Sequence, residues 1–253
     1  MKPALQDALL NSPVNWQDMP QGNFVQKQIE RHLNPWWPQV FGYHLLKIGH
    51  LSSEIDTAYC PIKHQINLAT SGAKQGVIAD VHYLPFSEHS VDAALLAHTL
   101  EFTHDPHQVL REAYRALIPN GYIFITGFNP LSLTGVTRFL PKLRQSSLSQ
   151  ARFFNPNRIK DWLHLLGCEV VSDRRFVYGS LSSSRHGHYT KRWIPAITHQ
   201  YLSHFGAVYL IVARKRELPL TPSKPKWKVK PQLQPVGQGV RIRSGVHSTS
   251  KHS

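Results

Sequence analysis

The chain has 253 residues, 41% of them hydrophobic, which suits one α/β domain with a large core. It carries 29 Lys plus Arg against 15 Asp plus Glu, and its two cysteines, Cys60 and Cys168, are far apart. That cysteine usage excludes a disulfide framework and a zinc-ligand spacing, and it fits a reducing, cytoplasmic setting. Residues 1–20 hold no continuous apolar segment of signal-peptide kind, and the apolar run Ala207 to Ala213 is far too short to cross a bilayer.

In chain order, residues 1–20 read as a flexible lead. Phe24, Val25, Ile29 and Leu33 then recur at helical spacing, and Pro35-Trp36-Trp37-Pro38 ends that helix. Tyr43 to Gly49 predicts the first strand, followed by the turn Gly49-His50-Leu51-Ser52-Ser53-Glu54. Cys60 to Thr70 contains the second strand, with Ile66-Asn67-Leu68 at its end. Val77 to Ala79 is a short third strand that ends at the carboxylate Asp80, and Leu84-Pro85-Phe86 turns the chain. Val91 to Ala97 is apolar apart from Asp92, as suits a parallel strand covered on both faces.

A well-signalled helix follows. Asp105 is a good N-cap, Pro106 fits the first helical position, and Gln108 stands at the reciprocal capping position. Val109, Leu110, Ala113, Ala116 and Leu117 form its apolar face; Pro119 stops it and Gly121 turns the chain into the strand Tyr122 to Thr126. Strand, helix and strand with short links read as a right-handed βαβ unit. Leu131 to Lys160 is a basic stretch with no acid, read as a cap over the substrate side. Asn157 to Leu166 is an amphipathic helix, stopped by Gly167, and Cys168 to Ser172 is the next strand. Residues 174–204 read as an insertion before a last strand at Ala207 to Ala213. Its His186 and His188 lack the further partners a zinc site requires, so no metal is expected. Residues 217–253, rich in Pro and Lys, read as a disordered basic tail.

An ordered series runs through the middle of the chain: Asp80-x-x-x-Leu84-Pro85-Phe86, Val91-Asp92, His98-Thr99-Leu100, Asp105-Pro106 and Leu110-Arg111-Glu112-Ala113-Tyr114-Arg115-Ala116-Leu117-Ile118-Pro119-Asn120-Gly121. With this series the chain resembles the class I S-adenosylmethionine-dependent methyltransferases, in the branch of small bacterial YafS-like proteins. The resemblance covers about residues 20–216 and implies a methyltransferase-like domain over residues 21–216. It implies a Rossmann-like, mostly parallel seven-stranded sheet in the order 3-2-1-4-5-7-6, with helices on both faces and the last strand antiparallel. It also implies S-adenosylmethionine as cofactor and methyl transfer as the reaction.

The resemblance assigns cofactor contacts to strand ends. Gly49 opens the turn where the backbone must approach the cofactor. Asn67 stands where the family has an acid for the ribose hydroxyls, and it can still accept and donate hydrogen bonds. Asp80 accepts from the adenine amino group and the Val81 amide reaches a ring nitrogen. Ala97 and His98 close the fourth strand on the ligand-binding edge. Two departures stand out: the turn keeps only its first glycine, and the acid two positions before it is replaced by Lys47, placed by the resemblance near the cofactor's amino group. No catalytic residue is nominated, because the sulfonium already makes the methyl electrophilic and the protein need only orient the acceptor and exclude water.

The acceptor is not legible in the sequence. The basic cap (residues 131–160, with Arg138, Lys142 and Arg144) and the tail can attract nucleic acid or another anionic partner. The main alternative, raised by the eroded glycine turn and Lys47, is a catalytically inactive module of the same fold that binds RNA or an acidic partner. A nicotinamide enzyme is a weaker alternative, since the GxGxxG turn is absent.

Overall fold

The computed structural model describes residues 12–72, 76–132, 134–135, 151–178 and 205–217. The chain divides into Met1–Glu217 and Leu218–Ser253, and the elements below belong to the first unit. They are α1 (Gly22–Leu33), β1 (His44–Ile48), the one-turn α2 (His50–Ser53), β2 (His64–Ala69), β3 (Val77–Ile78) and β4 (Val91–Ala97). Then come α3 (Pro106–Ala116), β5 (Leu117–Phe128), α4 (Pro156–Leu165), β6 (Cys168–Phe176) and β7 (Val208–Lys215). The seven strands form one sheet in the order β3-β2-β1-β4-β5-β7-β6, as expected. β3 through β5 run parallel, and β7 lies antiparallel to both β5 and β6.

The two sheet faces follow from side-chain alternation. Leu45, Ala93, Leu95, Phe124, Leu210 and Val212 pack with Val25, Ile29 and Leu33 of α1 on one face. Leu46, Ile48, Ala94, Leu96, Ile123, Ile125 and Ile211 pack with α3 and α4 on the other. Asp92, the polar break in β4, accepts hydrogen bonds at Oδ2 from the amides of Tyr43 and His44, both at 2.8 Å. It thereby satisfies two donors at the entry to β1.

Asp105 caps α3, accepting at Oδ1 from His107 N at 3.0 Å and Gln108 N at 3.1 Å. Gln108 does not close the capping box; its amide donates instead to the carbonyl of His82 at 3.1 Å. The helix ends at Ala116, and Leu117, expected as its last apolar residue, opens β5 opposite Val91. β6 also runs past its expected end, so residues 174–176 of the expected insertion are strand paired with β7. Residues 179–204 of that insertion and 136–150 of the cap lie outside the described residues, as does everything from residue 218.

Within the described part of the cap, three cations engage the fold itself. Arg152 lies over the Phe154 ring at 5.2 Å, Arg158 over Trp162 at 5.1 Å, and Lys160 pairs with Asp173 at 2.8 Å. Within the part of the expected flexible lead that the structure describes, Pro13, Trp16 and Met19 are buried. Trp16 is buried; its ring Nε1 donates to Leu51 O at 3.0 Å and its amide donates to Glu54 Oε2 at 3.0 Å. An aromatic ring buries too much apolar surface to be left in water once a partner face exists.

Candidate cofactor site

The sheet order reverses between β1 and β4, and the crevice beyond the carboxyl ends of such strands is the ligand-binding position of open α/β sheets. Gly49 starts the turn after β1 with φ +94°, a conformation strained for a residue with a side chain, and its amide donates to Leu68 O at 2.7 Å. A Cβ there would lie 2.8 Å from Thr99 Oγ1. Thr99 holds that place because its hydroxyl donates to Ile48 O at 2.6 Å. Ser52 donates to the same carbonyl at 2.6 Å and accepts from the amide of Ala97 at 2.7 Å. The tips of β1 and β4 are thus joined by two hydroxyl side chains, and the lone glycine is required by Thr99.

Lys47 does not stand free beside this turn. Its side chain is buried, and Nζ donates to the carbonyl of Ile55 at 3.0 Å. Burial lowers its pKa, an effect partly offset by Asp56, Cys60 and Glu30. The expectation that Lys47 faces the cofactor's amino group gives way to an internal bond that ties β1 to the segment after α2.

At the end of β2, Asn67 and Ala69 face a cleft of ≈ 630 Å³ whose other walls include Asn15, Asn23, Gln26, His50 and Glu54. The link from β2 to β3, residues 70–76, is too short for a crossover helix, and β3 pairs beside the very end of β2 (Leu68 with Val77). Asn67 Oδ1 is buried without a hydrogen-bond partner among the described residues. At the end of β3, the Asp80 side chain is 52% exposed, and Oδ1 accepts from the His82 amide at 2.9 Å and from His82 Nδ1 at 2.6 Å. Partial burial pushes the Asp80 carboxyl up, but the two His82 bonds and the charges of His82 and His104 together hold it below its usual range. Val81 is buried against the α3 side of the core, and its amide donates to no group among the described residues.

Ala97 is buried, with its amide taken by Ser52. His98 follows at φ +52°, unusual for a non-glycine residue. Its ring is fully buried between Phe128 (centroids 4.2 Å apart) and the edge of Trp16 (5.5 Å). Nδ1 stands 2.7 Å from Glu101 Oε2, and the other oxygen of Glu101 accepts from the amide of Phe128. With a carboxylate partner, Nδ1 is the donor of this pair. Nε2 is buried and has no partner among the described residues.

The structure therefore brings Gly49, Ala97 and His98 together around the β1–β4 crevice, and places Asn67, Asp80 and Val81 along the same edge of the sheet. Sequence reading missed Trp16, Ser52, Thr99, Glu101, His82 and Thr103. Two of these had a local signal: Glu101 stands three residues after His98, and His82 two after Asp80.

Residues 48–125 match the methyltransferase domain family. The chain is 43% identical over 239 residues to the uncharacterized protein YafS of Escherichia coli (strain K12), covering 94% of this chain and 96% of that one. Among solved structures, a SAM-dependent methyltransferase from Archaeoglobus fulgidus superposes with TM-score 0.53 at 19% identity, covering 77% of this chain and 97% of its own. A putative methyltransferase from Haloferax volcanii, in complex with the Trm112 methyltransferase activator, does so with TM-score 0.52 at 17% identity, covering 79% and 97%. Those two likenesses concern the fold.

Proposed function

Since the chain belongs to the YafS family and carries a methyltransferase domain, a class whose cofactor is S-adenosylmethionine, we propose that it transfers a methyl group through the strand-end site above. One observation carries the assignment of residues: unsatisfied polar groups line this edge of the sheet. Among the described residues, Asn67 Oδ1 is buried without a partner, the Val81 amide donates to no group, and Asp80, next to Val81, keeps Oδ2 open. Buried polar atoms without partners are costly, and a ligand that pairs them recovers that cost. Asp80 and Val81 would hold the adenine, Asn67 the ribose, and Gly49 would pass beneath the chain that links them to the reacting end. Bound there, S-adenosylmethionine supplies a methyl group on a sulfonium centre, ready for in-line attack.

The chain's own residues then have two tasks. They exclude water, for which Trp16, Phe128 and the buried tips of β1 and β4 are placed. They also receive the proton an N–H or O–H acceptor must lose. That role falls to His98, whose Nδ1 is held by Glu101 and whose buried Nε2 has no partner among the described residues. The basic residues of the cap and tail would draw an anionic acceptor or partner, nucleic acid included, by charge alone.

Calorimetric titration with S-adenosylmethionine, with a nicotinamide cofactor as control, tests the reading. Asp80→Ala should weaken binding by about 1–3 kcal/mol; unchanged affinity would remove the adenine assignment. The turn after β1, which keeps only its first glycine, together with the excess of basic residues, leaves a second reading, a fold that binds RNA or an acidic partner without turnover. Absence of S-adenosylmethionine binding in the same titration would select it.

A further inference from the structure

The turn after β3 holds a relay that the proposed adenine contact does not by itself require. An aspartate at a strand end is ordinarily a mobile acceptor, and one bond from the amide two residues on is a common local turn. Here a second, longer-range arrangement is added. The His82 ring is 8% exposed although Asp80 beside it is 52% exposed, and its Nδ1 reaches the same Oδ1 that the His82 amide holds. Nδ1 donates to Asp80, and Nε2 lies 2.5 Å from Thr103 Oγ1, a hydroxyl that can pair with it as donor or acceptor. The His104 ring packs against His82 with centroids 3.8 Å apart, and Gln108 of α3 binds the His82 carbonyl at 3.1 Å. The imidazole is thus fixed at both nitrogens, by the turn on one side and by the segment leading into α3 on the other.

The consequence falls on Asp80. Oδ1 is committed twice, so the carboxylate cannot rotate freely, and Oδ2 makes no bond among the described residues. A fixed carboxylate oxygen is an acceptor only. It accepts from a 6-amino purine and opposes the carbonyl of a 6-oxo purine. Resting on the reading of Asp80 as the adenine contact, we propose that His82, braced by Thr103, is a positioning residue that fixes Asp80 so that the site discriminates a 6-amino purine nucleoside from its 6-oxo counterpart.

The test uses the full-length chain and two calorimetric ligands, S-adenosylhomocysteine and its 6-oxo analogue S-inosylhomocysteine. The native protein should prefer the first by about tenfold or more, since a site built to pair a group rejects the analogue that leaves its acceptor unpaired. His82→Ala should lower affinity for S-adenosylhomocysteine about tenfold and narrow the preference, because an unbraced carboxylate must be ordered on binding. His82→Asn, whose side-chain amide can still donate to Asp80, should restore most of both. Thr103→Val should shift affinity the same way by a smaller factor, and it carries the test if His82→Ala does not fold. Native affinity and preference in both His82→Ala and Thr103→Val, with Asp80→Ala impaired, would overturn the positioning role while leaving Asp80 in place. Equal affinities of the native protein for the two ligands would overturn the claimed discrimination. An unimpaired Asp80→Ala would instead remove the adenine contact and this inference with it.

Discussion

Replacing Lys47 by glutamate distinguishes the structure from the family pattern, because the pattern has an acid at that place. In this chain Lys47 Nζ donates to the carbonyl of Ile55 at 3.0 Å, with only 6% of the residue exposed. Glutamate has no donor for that carbonyl, and Glu30 and Asp56 already bring negative charge to the lysine. Losing the bond leaves a buried acceptor unsatisfied, at about 1–3 kcal/mol. Adding an unpaired buried carboxylate brings the total to about 3–5 kcal/mol, the cost typical of a buried charge without its partner. For a domain of this size that lowers the melting temperature by about 6–20 °C. The native lysine leaves its own signature. Burial lowers its pKa from the ordinary 10.5, so the unfolded chain binds this proton more tightly. Its contribution to stability therefore rises as pH climbs from the lowered value toward that of the free side chain. Thermal melts followed by circular dichroism, paired with S-adenosylmethionine titration, measure both effects. A Lys47→Glu protein with unchanged melting temperature and tighter cofactor binding would refute the reasoning and return residue 47 to the cofactor's amino group.

Three further outcomes are expected. Asp105→Ala removes the cap that receives His107 N and Gln108 N, and should cost about 1 kcal/mol, seen as a lower midpoint in urea with unchanged slope. Cys60 and Cys168 are both buried, and burial pushes the Cys168 thiol up to about 11, so neither should react with iodoacetamide at pH 8 until the protein is denatured; rapid native alkylation of Cys168 would contradict its placement. Deleting Leu218 to Ser253 should leave the melting temperature nearly unchanged, because β7 ends at Lys215. If RNA binds through this basic tail, the deletion should also remove about 0.7 units of log–log salt slope per lost phosphate contact, whereas loss of Arg138, Lys142 and Arg144 should impair acceptor binding with the tail intact; full-length protein without RNA affinity would leave the charge as a solubility feature.

Periodicity and punctuation carried the architecture. The apolar run of β4, broken only at Asp92, the capped and amphipathic α3, and the spacing of the short strands between them point to a doubly covered parallel sheet. Each of these signals is local, and burial on both faces leaves a strand no other composition. The strand ends were legible for the same reason, and it was the family resemblance that then assigned Gly49, Asn67, Asp80, Val81, Ala97 and His98 to one edge of the sheet. What each side chain does there was decided only by the tertiary structure. Lys47 turns to Ile55 and Thr99 takes the space above Gly49; Trp16 leaves the expected lead to cover His98. Asp80 is held by a histidine whose far nitrogen is braced by Thr103, and Gln108 leaves its capping position for the same turn. Each of these is a choice among polar partners distant in sequence. A buried donor or acceptor takes whichever partner the fold brings within about 3 Å, and nothing in the local pattern specifies which one that will be.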